Sequence, residues 1–347
     1  MRESDSMHPG RTWLDADGHR IQAHGGSIIA EEGTYYWYGE NKEHSAPGSG
    51  IWTSGIRCYS STDLYNWTDR GLIIPPTDDP QAPMHPSHVI DRPHIARNPR
   101  TGKYVCWVKI IGPGESQRWT VFTADWLLGP YEVIHTGLRP LGMDAGDFDL
   151  VVDPSNGKGY VYFERVHSEL ICAELTDDYT GVTGFYSTHF PRHHPPTVRE
   201  APAHFRRNGK HYLITSGTTW YYPNRSEAAV ADTYHGPYAV LGNPHPTDAS
   251  GTSFRSQISC VFRHPEKRDL YIALADRWLP QLSEQESDQA RLFCEYYGAK
   301  AAGKAVPPLD LPEVDTSIAD YVWLPIRFDG DMPLIDWRDE WRIDDFT

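Results

Sequence analysis

The strongest constraint on the fold is a five-fold repeat along the chain. Five segments begin with an apolar run, pass through a turn and rise to an aromatic strand, and consecutive segments start 53 to 66 residues apart. In each segment a tyrosine follows the opening residue by 11 to 14 positions. Such a repeat indicates the blades of a β-propeller, because one small sheet cannot bury its faces alone and must stack beside neighbours. The opening residues are Gly25, Asp91, Asp147, Glu200 and Gln257.

Strand signals dominate the rest of the chain. Short segments rich in β-branched and aromatic residues alternate with Asn-Gly and Asp-Gly pairs, which favour hairpin turns. We therefore predict an all-β, five-bladed β-propeller that spans residues 1–347 as a single domain. A helix is expected only around residues 283–305, as an insertion before the last strands. The C-terminal strand-turn-strand segment could close the ring by completing the first blade.

Composition narrows the possible partners. A net charge of −15 without a basic cluster disfavours nucleic acid and anionic membrane surfaces. The five cysteines lie far apart with no Cys-x-x-Cys pair, and His193-His194 lacks a third ligand at metal spacing, so neither a disulfide framework nor a metal site is indicated. We predict no cofactor, and an axial calcium ion has no sequence signal. Because no segment resembles a secretory signal or a membrane span, we expect a cytoplasmic location.

The opening residues suggest a chemistry. The first strand of each propeller blade lies innermost, so Asp91, Asp147, Glu200 and Gln257 should face one funnel. Two or three carboxylates around one cavity are what glycoside hydrolysis needs, because an acid must protonate the leaving oxygen while a second group acts at the anomeric carbon. Like charges nearby keep one carboxyl protonated near neutral pH. Aromatic residues beside the openings offer sugar-stacking surfaces, namely Trp37, Tyr38, Trp107, Trp220, Tyr221, Tyr222 and Trp278.

Several motifs in the same order resemble family 43 glycoside hydrolases. They are AHGGSI with YYWYGE, YSSTDLYNW, DRP followed by TGKYV, REAP followed by NGK and TSG, SFRSQ and LADRW. The resemblance spans about residues 13–342 and is closest to the exo-β-1,3-galactanase branch. It implies a catalytic propeller that inverts the anomeric centre of an oligosaccharide substrate.

The resemblance also implies roles for individual residues. Glu200 of REAP matches the general acid, Asp91 of DRP matches the carboxylate that tunes the pKa of that acid, and Asp147 matches an acidic position that opens the third blade. The family's usual base is an Asp in the first blade, where this chain has glycine at Gly25. The galactanase branch shares this loss and uses a Gln in the fifth blade, which Gln257 matches.

The identity of the base stays open on sequence grounds. A neutral amide has no useful basicity, so we expect Gln257 to position the attacking water, and Asp147 or Asp149 is the alternative base. In an inverting enzyme the carboxyl of Glu200 and the group opposite should be about 6.5 to 9.5 Å apart. The candidates for sugar contact are His24, Glu40, Trp107, Asp147, Thr219, Trp220 and Arg277.

The sequence therefore predicts an exo-acting inverting hydrolase of β-galactosyl ends, such as those of galactan. An α-L-arabinofuranosidase or a β-galactofuranosidase of the same family is the nearest alternative. A catalytically inactive carbohydrate-binding propeller is a further alternative, because the usual first-blade Asp is absent.

Overall fold

The structure is a computed structural model that describes residues 4–282 and 289–347. Its framework is five antiparallel sheets of four strands each, and within each sheet the strands pair in chain order. In blade order the strands are β1 (His24–Glu31), β2 (Thr34–Glu40), β3 (Ile56–Ser61), β4 (Thr68–Ile74); β5 (Val89–Arg97), β6 (Tyr104–Ile111), β7 (Trp119–Ala124), β8 (Glu132–Leu138); β9 (Ala145–Val152), β10 (Gly159–Arg165), β11 (Glu169–Leu175), β12 (Val182–His189); β13 (Arg199–Arg207), β14 (Lys210–Gly217), β15 (Glu227–Ala231), β16 (Ala239–Gly242); and β17 (Gln257–Arg263), β18 (Tyr271–Arg277), β19 (Asp320–Asp329), β20 (Met332–Ile335).

Tight turns fix the register of the innermost hairpins. In the fourth blade Arg207 pairs with Lys210, so only Asn208 and Gly209 form the connection, with φ angles of 52° and 79°. Two consecutive positive φ angles define a turn whose twist matches that of the flanking strands, and Asn-Gly adopts it at little cost. The Asn208-Gly209 signal in the sequence thus corresponds to a real turn between the first two strands of the fourth blade.

The blades form a closed ring. Their first strands, β1, β5, β9, β13 and β17, contact one another in sequence, and β17 contacts β1 again. A separate apolar cluster fills each of the five interfaces between neighbouring blades, including the one between the fifth blade and the first. The predicted all-β, five-bladed propeller is therefore confirmed.

The fifth blade carries the insertion. A helix α1 (Gln289–Ala301) lies between β18 and β19, inside the range predicted as helical, of which residues 283–288 lie outside the described part. The prediction for the C-terminal segment was wrong, because β19 and β20 complete the fifth blade and not the first. The ends of the chain meet instead in an isolated bridge, where the backbone N–H of Met7 donates to the carbonyl of Trp341 at 2.8 Å. No described helix has the length and apolar character needed to cross a membrane.

Candidate active site

β-Bulges orient the opening residues. The strand register shifts directly after His24, Asp91 and Glu200, at the start of the innermost strands. The next residues, Gly25, Arg92 and Ala201, have φ angles of 62°, 54° and 47°. Only glycine adopts this region without steric cost, so Arg92 and Ala201 hold a strained backbone. A bulge re-aims the side chain beside it, which explains how Asp91 and Glu200 turn toward the propeller axis.

A cavity of about 540 Å³ lies where these openings converge. Its volume is in the range of small-molecule sites. Six of the predicted site residues line it: Glu40, Asp91, Asp147, Glu200, Trp220 and Gln257. The other lining residues are Trp52, Arg92, Lys109, Gln117, His167, Thr218, Tyr221, Trp278, Phe293, Tyr297, Leu309, Asp310 and Leu311.

Two cations hold Asp147 in its ionised form. Lys109 Nζ lies 2.7 Å from Asp147 Oδ1, and Arg92 Nε lies 3.2 Å from Asp147 Oδ2. Burial alone would raise the pKa of Asp147, but Lys109 and Arg92 outweigh it and lower the pKa to about 2. A carboxylate with so low a pKa is a weak base. Asp147 therefore suits a role as a fixed negative charge and does not suit the alternative role of proton acceptor.

The surroundings of Glu200 favour its protonated form. Burial raises its pKa well above the ordinary value, and the charges of Asp147 and Glu164 raise it further, against the opposing effect of Lys109 and Arg92. The sequence assigned the tuning of this pKa to Asp91. In the structure Asp147 and Glu164 are the carboxylates with the largest effect on it. The Lys109 ammonium contacts both Asp91 and Asp147.

Asp91 faces the open part of the cavity. Its Oδ1 accepts a hydrogen bond of 2.6 Å from the indole N–H of Trp52, and its Oδ2 lies 3.1 Å from Lys109 Nζ. The side chain is 14% exposed, against 1% for Glu40 and 9% for Asp147. Asp91 is therefore the most accessible of these three carboxylates.

The side-chain amide of Gln257 has no free hydrogen-bonding group. Its oxygen accepts from Arg92 Nη2 at 2.5 Å and from the Trp278 indole N–H at 3.0 Å. Because both partners are donors only, the amide NH₂ must face the other way. There it donates to Glu200 Oε1 at 3.1 Å and to Ser216 Oγ at 2.9 Å. This contact is too short for a water between Gln257 and Glu200, so the expected acid-to-base separation of about 6.5 to 9.5 Å does not describe this pair.

Glu40 occupies the space beside Gly25. A Cβ atom at residue 25 would lie only 2.3 Å from Glu40 Oε1, so the carboxylate of one strand fills the side-chain position of its neighbour. Oε1 accepts the backbone N–H of Arg92 at 2.9 Å, and Oε2 lies 3.0 Å from Lys42 Nζ. Burial raises the pKa of Glu40 to about 7, with Asp91 adding to the rise and Lys42 opposing it. The first blade thus supplies a carboxylate to the cavity from β2 instead of β1.

Two predicted sugar contacts lie away from the cavity in the hydrophobic interior. Trp107 is 0% exposed, packs against Trp119 between the second and third blades, and donates its indole N–H to the Tyr179 carbonyl at 2.8 Å. Thr219 is also fully buried, and its hydroxyl donates to the carbonyl of Tyr222. The prediction of substrate contact was wrong for both residues, because their polar atoms are used within the fold.

His24 and Arg277 are likewise structural. The His24 ring stacks on Tyr321 and pairs with Asp276, at 3.0 Å between Nδ1 and Oδ1. Arg277 Nη2 donates to the carbonyl of Phe254 at 2.9 Å. Neither is among the described residues that line the cavity, so the prediction of sugar contact was wrong for these two as well.

Asp149, the other alternative base, also lies outside the cavity. Its Oδ2 accepts the backbone N–H of His204 at 2.7 Å, and its Oδ1 lies 3.4 Å from His94 Nδ1. Burial raises the pKa of Asp149 to about 7. The Asp149 carboxylate links the second, third and fourth blades. Asp149 is not among the described residues that line the cavity, so a substrate bound there does not contact it.

The sequence reasoning missed most of the cations and loop residues of the site. Lys109 could have been predicted as a site residue, because it lies directly opposite Asp91 in the β5–β6 hairpin. Trp52, Gln117 and His167 lie in loops with no motif, and the contribution of the insertion depends on how it folds over the cavity. Among the described residues, no cluster of three or more His, Cys, Asp or Glu could hold a metal ion.

Comparisons with known proteins place this site in a family. Similar solved structures include a family 43 β-1,3-galactosidase with 28% sequence identity and a TM-score of 0.81, aligned over 99% of this chain and 65% of that one. A second family 43 β-1,3-galactosidase, solved with galactodeoxynojirimycin, has 29% identity and a TM-score of 0.79 over 97% of this chain and 100% of that one. The chain thus spans just under two thirds of the first structure and all of the second.

A third structure supports the fold alone. It is an exo-β-1,3-galactanase from Phanerochaete chrysosporium with β-1,3-galactotriose, with 24% identity and a TM-score of 0.79 over 98% of this chain and 68% of that one. No curated protein sequence matches the chain. The sequence model of the glycosyl hydrolases family 43 matches residues 21–275, which is most of the chain, and the protein therefore belongs to this family of glycoside hydrolases.

Proposed function

We propose that the protein is an inverting, exo-acting hydrolase that removes β-linked galactose from the ends of galactan or related oligosaccharides. The observation that carries the proposal is that Glu200 and Asp147 line one cavity, where burial and the Asp147 charge raise the pKa of Glu200 while Lys109 and Arg92 lower that of Asp147. Hydrolysis of a glycoside needs such a proton donor, because an alkoxide leaving group is too basic to depart without a proton. The indole and phenol rings of Trp220, Tyr221 and Trp278 offer the apolar face of a sugar a stacking surface.

Glu200 acts as the general acid in this proposal. Its proton passes to the glycosidic oxygen while the bond to the anomeric carbon breaks. Asp147 keeps that proton on Glu200 until the substrate arrives, because the negative charge of Asp147 raises the pKa of its neighbour. Asp91 and Lys109 bind the hydroxyls of the galactose that is cleaved off, since both line the cavity and pair an acceptor with a donor.

Gln257 has two successive roles in this proposal. Before reaction its NH₂ holds Glu200 in place at 3.1 Å. When Glu200 turns to the glycosidic oxygen, that N–H becomes free and positions the attacking water. The amide oxygen stays bound to Arg92 and Trp278, so it offers no lone pair to the proton of the water. A carboxylate must take that proton, and on the propeller strands that line the cavity the two candidates besides Asp147 are Asp91 and Glu40.

Different observations support the galactosyl specificity and the exo action. The relatives of 28% and 29% identity are β-1,3-galactosidases by their descriptions. A walled cavity, as opposed to an open groove, favours the end of a chain over its middle. Trp220, Tyr221 and Trp278 and described residues of the blade-five insertion form walls of this cavity.

The test is hydrolysis of β-1,3-galactobiose followed by proton NMR. We expect α-galactose as the first product, and Glu200→Gln to lower kcat/KM by about 10²- to 10⁴-fold. The same variant should lose far less activity on β-galactosyl fluoride, because fluoride departs without a proton. Glu132→Gln, on the exposed strand β8, is the matched control.

Four results would contradict the proposal. Release of β-galactose would exclude inversion, and full activity of the Glu200→Gln enzyme on galactobiose would exclude the acid. Turnover only of arabinofuranosides or galactofuranosides would change the substrate class, whereas sugar binding without turnover would favour a carbohydrate-binding propeller.

A further inference from the structure

The cavity is built from two rings of side chains. The inner ring comes from the first strands, with Asp91, Arg92, Asp147, Glu200 and Gln257. An outer ring comes from the loops between the second and third strands of all five blades, and in blade order it consists of Trp52, Gln117, His167, the pair Trp220 and Tyr221, and the blade-five insertion. The catalytic carboxyls of the proposed function all belong to the inner ring or to β2. The outer ring must therefore contact the part of the substrate that extends beyond the galactose that is cleaved off.

The blade-five insertion contributes the largest part of the outer ring. Phe293 and Tyr297 lie one turn apart on α1, and both face the cavity. Leu309, Asp310 and Leu311 follow on the extended segment that returns to β19, and they line the same cavity. One continuous insertion thus supplies two aromatic rings, two apolar side chains and one carboxylate to a single wall.

Packing holds this wall in place. Phe293 is buried in an apolar cluster that includes Trp278 and Tyr222, and Tyr297 packs at its edge. The return segment is tied to the first blade, because Glu313 accepts the backbone N–H of Gly48 at 2.7 Å and Thr316 bonds Ser45 at 2.8 Å. The described part of the insertion therefore packs against the fifth blade and is hydrogen-bonded to the first.

A polar pair stands on the other side of the acid. His167 Nδ1 lies 2.6 Å from Glu164 Oε1, and Glu164 itself is buried. Glu164 reaches this position only because residue 146 is a glycine, since a Cβ at Gly146 would lie 2.1 Å from Glu164 Oε2. The pairing fixes the imidazole and leaves its second nitrogen, Nε2, toward the cavity that His167 lines.

Tyr297, His167 and Glu200 line the same cavity. Burial raises the pKa of Tyr297, and Tyr296, Glu164 and Glu200 add to the rise. A general acid must sit at the glycosidic oxygen, which joins the sugar that is cleaved to the leaving group. The galactose occupies the inner ring on one side of that oxygen. The outer-ring groups beside Glu200 consequently face the leaving group.

We propose, on the basis of the proposed function, that the blade-five insertion and His167 form a binding site for the leaving sugar. Its ligand is the second hexopyranose of a β-linked disaccharide or chain end. The ring of Tyr297, backed by Phe293, stacks on the apolar face of that sugar, while His167 and Asp310 bond its hydroxyls. The insertion thereby makes the enzyme prefer oligosaccharides to simple galactosides.

The experiment compares two substrates that share the galactose and differ in the leaving group. β-1,3-Galactobiose fills the leaving-group site, and β-galactosyl fluoride leaves it empty. We expect Tyr297→Ala and Asp310→Ala to lower kcat/KM on galactobiose by at least about 10-fold more than on the fluoride, because only one transition state contacts the wall. Leu292→Ala, exposed on the same helix, is the control and should affect neither substrate.

Binding separates this inference from the proposed function. In the Glu200→Gln protein, which should keep galactobiose intact, titration calorimetry should give tighter binding of galactobiose than of galactose by about 10-fold or more. Tyr297→Ala or His167→Gln in that background should abolish the preference. A preference in a protein that hydrolyses no glycoside would leave this site standing and overturn the proposed function. Equal binding of the two sugars, or equal losses on the two substrates, would overturn the leaving-group site.

Discussion

At the residue scale, the site depends on opposite pKa shifts of two carboxyls in one cavity, those of Asp147 and Glu200. Asp147 contacts two cations, which lower its pKa to about 2, whereas partly buried Glu200 has no cation in contact among the described residues and its pKa is raised. Such a split between neighbouring groups is how one cavity holds an acid and a fixed charge at the same pH. Lys109 and Arg92, which the sequence analysis did not assign, produce the difference.

The first prediction concerns the pH dependence of kcat/KM. A general acid must be protonated, so activity should fall as the pH rises through the pKa of Glu200. Asp147→Asn removes a charge that raises this pKa and leaves Lys109 and Arg92, which lower it, without their counter-charge. The alkaline limb of the profile should therefore move to lower pH. The measurement is kcat/KM on galactobiose across the pH range, and an unmoved alkaline limb would contradict the role of Asp147.

At the scale of elements, each blade separates its structural side chains from its functional ones. In the second blade, Trp107 on β6 points into the interface with the third blade, whereas Asp91 on β5 points to the axis. Strands of this kind are buried on both faces, so the alternation of side chains does not distinguish interior from cavity. The bulge after Asp91 is what turns a core-facing strand toward the substrate.

The second prediction tests this separation with two tryptophans. Trp107→Ala should lower the free energy of unfolding by about 3 to 5 kcal/mol, because it leaves a cavity between two blades. The folded variant should keep the KM of the parent enzyme. Trp220→Ala should show the reverse pattern, with a raised KM and a small loss of stability, because Trp220 is only partly buried at the cavity wall. Denaturant unfolding measures the stability and steady-state kinetics measure KM. A raised KM for Trp107→Ala would show that Trp107 does take part in sugar binding.

At the scale of the whole molecule, the ring closes without a shared sheet. The fifth blade takes all four of its strands from one continuous stretch with the insertion inside it, and the chain ends meet beside it. Trp341 fills the interface between the last blade and the first, and its indole N–H donates to the Trp323 carbonyl at 2.9 Å. Closure therefore relies on side-chain packing more than on strand pairing.

The third prediction follows from this mode of closure. Trp341→Ala should reduce the free energy of unfolding by about 3 to 5 kcal/mol and should do so for the ring as a whole. Trp126→Ala is the control, since Trp126 is 71% exposed and should change stability by about 0.5 kcal/mol or less. Denaturation followed by circular dichroism measures both. Equal effects of the two substitutions would mean that the Trp341 contact does not hold the ring closed.

Much of the architecture was predictable because it follows from local sequence patterns. The turn pairs, the strand signals and the repeat of the openings predicted five blades, and they placed Asp91, Asp147, Glu200 and Gln257 around one cavity. Lys109 could have been found from the hairpin pairing opposite Asp91. Trp52 and His167 could not, because loops between strands carry no periodicity that shows which way a side chain points.

The sequence by itself determined the number of blades and the four polar residues that open them, since turn chemistry and strand patterning act over a few neighbouring residues. Only the tertiary structure decided which of those residues hold protons, because the pKa of Glu200 depends on Asp147, Glu164, Lys109 and Arg92, which are brought together from four different strands. The tertiary structure also decided that Glu40 fills the space beside Gly25 and that residues of the insertion line the cavity. Both are contacts between distant parts of the chain, and burial and Coulomb energies depend on distance in space and not on separation in sequence.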